Sequence, residues 1–292
     1  MERTRKQTIK SRGVLVFAFN TEKWDYVAMA AYTANRAKQF LNLPTTLITN
    51  EESKPDGGLA SVFDQIVVVK ADKNNIRDHM IWINKGRYQA YELSPYDETI
   101  LLDADYVINS DKLLKTFDLS DTFCCHNRTE FLMYPNAPQE TLSSYSYDTL
   151  WATVVMFKKS ERARQIFDTL RMVQENYSHY ANIHSFIAGV YRNDYALTIA
   201  LRIVNGHLVE PSDFIPWNLV HVGKNTSVYS KYPDEQIPEV WQYKIYNTEF
   251  IVMFDNWQRG KIRKEYLEID DMDFHVMNKE LFVDIMENKH HE

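Results

Sequence analysis

The feature that most constrains this chain is a regular alternation, over its first hundred residues, of short apolar runs with segments of helical spacing. Gly13 to Phe19 is an almost wholly apolar run closed by Asn20-Thr21, and it predicts a strand buried on both faces. Thr45 to Thr49, Gln65 to Val69 and Glu98 to Leu102 predict three more. Between the first two, Lys23 to Leu41 sets Tyr26, Ala30, Thr33, Ala37 and Leu41 at helical intervals and stops short of Pro44. Pro55 and Gly57-Gly58 supply turn chemistry, and Asn84 to Leu93 predicts a helix ended by Ser94-Pro95. Strand, helix and strand in this order imply an α/β sheet with crossover connections. In such sheets ligands bind beyond the carboxyl ends of the strands.

The second half changes character. Leu150 to Phe157 reads as a strand, Ser160 as the cap of a helix reaching roughly to Tyr177, and Asp194 to Val204 as a further helix. From Val209 onward Trp, Tyr and Pro are irregularly spaced, which predicts loops and short strands closing over a site. The organisation expected is a basic arm, residues 1–12, followed by one domain over 13–292. It divides into a first half, 13–110, of regular strand-helix alternation and a second, 111–292, that carries the closing C-terminal segment.

Charge and composition narrow the class. A hydrophobic share of 45% suits a packed core and argues against disorder. A formal charge of -7 disfavours general attraction to phosphate backbones, although Arg3, Arg5, Lys6, Lys10 and Arg12 form a local basic arm. The apolar run near the start is too short to span a bilayer, and the arm ahead of it lacks a signal-peptide core, so no membrane insertion is expected. Cys124 and Cys125 are neighbours in a predicted strand, point to opposite faces and suit no ordinary disulfide. A reducing, cytoplasmic location is expected.

The chemistry concentrates behind the fourth strand, where Leu102 is followed by Asp103, Ala104 and Asp105. Two carboxylates separated by one small residue at a strand end can converge on a single Mg²⁺ or Mn²⁺, which in turn neutralises a leaving diphosphate. Ala104 is small enough for the backbone to approach a ligand. An Asp-x-Asp pair also occurs as two solvated acids opening a turn.

The stretch Ser94 to Asp105 resembles the Asp-x-Asp strand of GT-A-fold glycosyltransferases, notably glycosyltransferase family 8 and its bacteriophage relatives. The resemblance implies a mixed sheet flanked by helices, of the Rossmann-like nucleotide-diphospho-sugar transferase type, and a metal-dependent transfer from a nucleotide-sugar donor, UDP-linked above all. It implies that residues 13–110 bind the nucleotide and residues 111–292 face the acceptor. It implies nucleotide contacts from Phe19, Asn20 and Tyr26, and a basic residue toward the donor from Lys85 or Arg87. Asn193-Asp194 resembles the pair that contacts the donor sugar. Asp273 to Lys279 resembles the segment in which His275 is the third metal ligand and Lys279 holds the diphosphate; four apart, these two would share one face if helical. The sequence departs from the family pattern at Trp151-Ala-Thr153 and at Glu280-Leu281, which leaves the sugar and the stereochemical outcome open. The implied acceptor is a saccharide or protein hydroxyl or, for a phage enzyme, a hydroxymethylated DNA base. Retention is favoured by the resemblance.

Other readings of the same residues stand beside this one. Leu101 to Val107 also looks like the nucleophile motif of haloacid dehalogenase phosphatases, with Asp103 phosphorylated and Asp270-Asp271 as the later acidic pair. A nucleotidyltransferase wants a Gly-rich basic loop after the first strand, and Asn20 to Lys23 is not one. A non-catalytic nucleotide-sugar-binding protein would keep the fold alone. Residue by residue, His275 reads equally as a core histidine, Lys85 and Lys279 as surface charges, and Asn193 as a helix cap. Trp217, Tyr229, Trp241, Tyr243 and Trp257 read as core more readily than as a sugar platform.

Overall fold

The first apolar run folds as β1 (Arg12–Phe17), and three further runs lie beside it in one parallel group: β2 (Thr45–Thr49), β3 (Gln65–Val68) and β6 (Glu98–Leu102). The computed structural model describes residues 11–70, 76–77, 80–81, 83–132, 137–189, 191–223, 227–229, 250–258 and 261–287. Between β3 and β6 come the short pair β4 (Ile76–Arg77) and β5 (Met80–Ile81). After β6 come β7 (Tyr106–Val107), β8 (Phe123–His126), β9 (Thr129–Phe131) and β10 (Trp151–Lys158). The main sheet has six strands in the order β3-β2-β1-β6-β10-β8, and β10 runs antiparallel to both neighbours. It is therefore a mixed sheet flanked by helices, as the resemblance implied, and strands from both halves of the chain share it.

Strand alternation splits the core into two layers. Val14, Val16, Ile100, Leu102, Val154 and Met156 join one cluster, while Leu15, Phe17, Leu101, Val155 and Phe157 join the other. Cys124 and Cys125 fall into opposite clusters, both as free thiols, as their adjacency in a strand requires. The first layer is covered by α1 (Tyr26–Arg36). Three one-turn helices follow in the chain: α2 (Gly57–Ala60), α3 (Ala90–Leu93) and α4 (Thr116–Leu119). The second layer is covered by α5 (Glu161–Glu175), with α6 (Tyr177–Ile183) after it, and by α7 (Asn193–Val204). Ser160 caps α5 by accepting from the Ala163 N–H, as expected. No helix among the described residues is long and apolar enough to cross a membrane.

Local boundaries shift for identifiable reasons. Helix α1 begins at Tyr26 and not at Lys23, because Asp25 is its cap and accepts from the Ala28 N–H. Its last turn, Ala37–Leu41, widens to π geometry and ends at Asn42 in the left-handed region. Arg12 opens β1 and pairs with Glu98 at 2.7 Å, so it belongs to the sheet and not to the arm; residues 1–10 lie outside the described residues. The segment after Val209 holds more regular structure than expected. It contains β11 (Leu219–Val222), β12 (Ser227–Tyr229), a hairpin of nine-residue strands β13 (Phe250–Gln258) and β14 (Lys261–Ile269), then β15 (Phe274–Val276) and α8 (Lys279–Glu287). Phe250 to Met253 is apolar without alternation, so the period-2 signal of a hairpin strand is missing from the sequence.

Gly13 is fixed by packing. A methyl group added there would fall on the ring of Tyr96, whose hydroxyl lies 2.8 Å from Thr46 Oγ1 in the next strand. Gly13→Ala is expected to cost about 1–3 kcal/mol through displacement of that ring, read as a lower urea midpoint at unchanged slope. An unchanged midpoint would show that the ring moves freely.

Candidate functional site

Chain order reverses between β1 and β6. From β1 the chain moves outward to β2 and β3, and from β6 it crosses to the other side, to β8 at the edge and then back to β10 beside β6. A crevice beyond the carboxyl ends of the strands at such a point is where open α/β sheets bind ligands. Asp103 follows β6 directly, and Phe19 and Asn20 follow β1.

The Asp103–Asp105 turn is held on three sides. The Asp103 N–H donates to the Thr153 carbonyl at 3.0 Å, fixing the turn to β10. From α1, the Thr33 hydroxyl lies 2.9 Å from the Ala104 carbonyl oxygen and 3.0 Å from that of Tyr106. The Val276 N–H donates to the Asp105 carbonyl at 3.1 Å, tying the turn to β15. Ala104 is itself buried in the core layer beneath α1, so its small side chain also serves packing.

β15 pairs antiparallel with β7, placing His275 opposite Tyr106. His275 Nε2 then lies 3.2 Å from Asp105 Oδ2, and Lys279, the first residue of α8, forms an ion pair with the same oxygen. His275 and Lys279 converge from a strand and a helix start, and not from one helical face. One ligand atom each from Asp103, Asp105 and His275 lies within 4.8 Å of the others. Arg87 forms an ion pair with Asp103 from a 3-10 helix, Ile83–Gln89, and is 3% exposed. The helix expected over Asn84 to Leu93 is built from this 3-10 helix followed by α3. The Arg87 Nε and Nη2 are buried without a hydrogen-bond partner among the described residues. The side chain of Lys85 lies outside the described residues.

The remaining expected residues divide. Asp194 stands in the first turn of α7, accepts from the Ala152 N–H at 2.9 Å and lies 3.6 Å from the Arg192 guanidinium. Asn193 is not the cap; Arg192 occupies that position, and buried Asn193 accepts from the Tyr191 hydroxyl at 3.3 Å. The Asn20 side chain accepts from the Val27 N–H at 2.9 Å while its own N–H donates to Ser53 Oγ at 2.8 Å, which pins the loop after β1. Phe19 packs on the opposite core layer. Tyr26 is close enough to Asp103 that, after burial, the Asp103 charge raises its pKa. Asp270 and Asp271 are exposed in a turn, with Asp271 at φ 47°, and neither joins the cluster. Trp217 packs partly buried against the core layer; Trp241, Tyr243 and the side chains of Tyr229 and Trp257 lie outside the described residues.

Electrostatics separate the groups. Burial alone would raise Asp103, yet Arg87, His275, Lys279 and a hydrogen bond from Thr153 together hold its carboxyl below the usual range. Asp194 goes the other way, raised chiefly by burial and further by Asp103, against the Ala152 N–H and Arg192. Burial lowers His275, opposed by Asp103 and Asp194. Burial also brings Lys279 down to about 8, against the pull of Asp103.

Three residues at or near the site carry little or no signal in the sequence. Thr153 stands out there only as a departure from a family pattern. His221, fully buried on β11, places its Nδ1 2.9 Å from that of His275. His126, also fully buried, lies 3.0 Å through Nδ1 from the Trp217 carbonyl oxygen. No local motif marks a histidine whose partner is fifty or ninety residues away.

Neither a protein-family model nor a curated protein matches the chain. Among solved structures, mouse xyloside xylosyltransferase 1 in its apo form is similar over 70% of this chain and 84% of its own, at 11% identity and a TM-score of 0.46. The galactosyltransferase LgtC, in complex with donor and acceptor sugar analogues, is similar over 80% of this chain and 100% of its own, at 12% identity and a TM-score of 0.43. The glycosyltransferase GlyE of Streptococcus pneumoniae TIGR4 is similar over 70% of this chain and 44% of its own, at 11% identity and a TM-score of 0.41. Likeness at this level assigns no activity.

Proposed function

We propose that this chain transfers a glycosyl group from a nucleoside-diphosphate sugar, UDP-linked in the first instance, to an acceptor hydroxyl. The observation that carries this reading is the convergence of Asp103, Asp105 and His275 within 4.8 Å, with cationic Arg87 and Lys279 on the same two carboxylates. Two carboxylates and one imidazole are a donor set suited to Mn²⁺ or Mg²⁺. Such a cation, held by these three residues, would supply Lewis-acid neutralisation of a leaving diphosphate.

The chain's own residues perform the rest. Lys279 and Arg87 set positive charge where negative charge grows on the departing diphosphate, which is the main demand when the anomeric carbon becomes oxocarbenium-like. Lys279 carries its proton below about pH 8 and so meets that demand at neutral pH. Asp194, whose one oxygen accepts from Ala152, is assigned to the sugar hydroxyls. A retaining transfer, in which the leaving phosphate takes the acceptor proton, is the outcome that the family resemblance favours. Asn193 acts by supporting the start of α7, and Tyr26 borders the nucleotide side. A saccharide or protein hydroxyl is the preferred acceptor over a hydroxymethylated DNA base, because the chain carries a net charge of -7. A phosphatase reading fits less well: Asp103 is tied to Arg87 and Thr153, and the second acidic pair, Asp270-Asp271, is exposed and not part of the Asp103 cluster.

Thermal denaturation with UDP and Mn²⁺, with and without EDTA, tests the reading. Saturating UDP at about a hundred times its Kd stabilises the fold by about 2.7 kcal/mol, and EDTA removes the gain. Lys279→Met is expected to weaken UDP binding about 10- to 100-fold, the loss of one charge-assisted contact. No shift with any nucleoside diphosphate would overturn the assignment.

A further inference from the structure

Asp194 has one carboxylate oxygen engaged and one left open, and the consequence drawn for Glu140 rests on the proposed transfer. Asp194 Oδ1 accepts from the Ala152 N–H at 2.9 Å, whereas Oδ2 only faces the Arg192 Nη2, at 3.6 Å. A charge-assisted hydrogen bond between such groups spans about 2.7–2.9 Å, so Oδ2 stands less than about 1 Å outside one.

The Arg192 fork is turned elsewhere. Its Nη1 pairs with Glu140 Oε1 and its Nη2 donates to Glu140 Oε2 at 3.2 Å, a bidentate contact. The Tyr195 hydroxyl donates to Glu140 Oε1 at 2.9 Å, and the guanidinium carbon stands 4.3 Å over the Tyr195 ring. Glu140 is anchored in turn, since its carbonyl accepts from the Thr149 N–H at 2.8 Å. Two carboxylates thus compete for one guanidinium, which presents two parallel N–H bonds to one of them at a time. Glu140 holds both bonds. Without it, a small rotation carries the fork onto Asp194, whose Oδ2 is then occupied.

We infer that Glu140 is a positioning residue for the donor sugar: it keeps Arg192 off Asp194 and so leaves Asp194 Oδ2 open to a sugar hydroxyl. Arg192 still faces that carboxylate with its charge but takes no lone pair from it.

Calorimetric titration with UDP, UDP-glucose and UDP-galactose, each with Mn²⁺, separates the sugar contact from the nucleotide contact, because UDP carries no sugar. Glu140→Ala is expected to weaken the better-bound sugar nucleotide about 10- to 100-fold, the loss of a hydrogen bond to a charged group. Its Kd for UDP stays unchanged, which also shows that the variant is folded. Glu140→Gln, which keeps the shape and one acceptor, shows a smaller loss of the same kind. Adding Arg192→Leu to Glu140→Ala removes the intruding fork and recovers most of the sugar-nucleotide affinity. Equal loss of UDP and sugar nucleotide, no loss of either, or no recovery in the double variant overturns the inference and leaves the transfer standing. Asp194→Ala without a selective loss of the sugar nucleotide, or UDP bound with neither sugar nucleotide, removes Asp194 from the sugar and the inference with it. Failure of all three ligands to bind overturns the proposed function as well.

Discussion

Asp103→Asn is expected to lower the rate of UDP-sugar hydrolysis by about 10³-fold, measured as UDP released without any acceptor. Water can replace the unknown acceptor, so the donor half of the reaction is accessible first. The asparagine keeps the shape of the side chain and the backbone bond to Thr153 but removes one of two carboxylates from the cation site. It also leaves Arg87 charged, 3% exposed and without its acid. A buried charge that loses its partner destabilises by about 3–5 kcal/mol, so the variant should melt earlier as well. The double variant Asp103→Asn/Arg87→Gln separates the two effects. It should recover much of the lost stability and none of the activity. Hydrolysis that survives in Asp103→Asn would remove this carboxylate from the chemistry.

A second large effect is expected in acid. His126 is fully buried, and burial, helped by Lys112, brings its pKa down to about 4 although the Trp217 carbonyl opposes the shift. His221 is brought down to about 3 by burial first, then by His275 and His126. In the unfolded chain both titrate at about 6.5. As pH falls below that value the unfolded state takes up protons that the folded state excludes, so stability falls with pH. The loss from His126 grows down to about pH 4 and then levels off, where the folded ring also protonates. At pH 5 each histidine contributes about 2 kcal/mol of destabilisation, a large part of the typical 5–15 kcal/mol total. Asp273 offsets part of this, because its buried carboxyl is raised to about 6 and takes up its proton first in the folded state. Urea denaturation at pH 7.5 and pH 5 should show the net loss as a lower midpoint, and His126→Gln should remove about 2 kcal/mol of the dependence. A midpoint independent of pH over that interval, or a variant with the full dependence, would count against two neutral buried imidazoles.

Much of the site can be read locally because its parts carry local signals. Asp103 and Asp105 stand behind an apolar strand, and a strand end in an α/β sheet opens on the ligand crevice whatever the rest of the chain does. The strand assignments of β1, β2, β3 and β6, the Ser160 cap and the opposed cysteines come from periodicity and hydrogen-bonding capacity within a few residues. His275 and Lys279 stand out in the sequence only through resemblance. The structure sets both on Asp105, but from a strand and a helix start that their spacing does not reveal. Asn20 and Ala104 show structural work that their positions do not announce: the Asn20 side chain accepts from the Val27 N–H, and the Ala104 methyl packs into the core layer.

The sequence by itself determined the sheet, its alternation and the end of β6 where the carboxylates cluster, because those depend on burial patterns and on bonds between residues near in the chain. Only the tertiary structure decided the company those carboxylates keep. Arg87 on Asp103, Lys279 on Asp105, Asp194 held by Ala152 and His221 behind His275 all arise from side chains brought together across strands. Charge and hydrogen-bond chemistry act over a few ångströms of space and not over a few positions of sequence, so nothing in the linear order marks such partners.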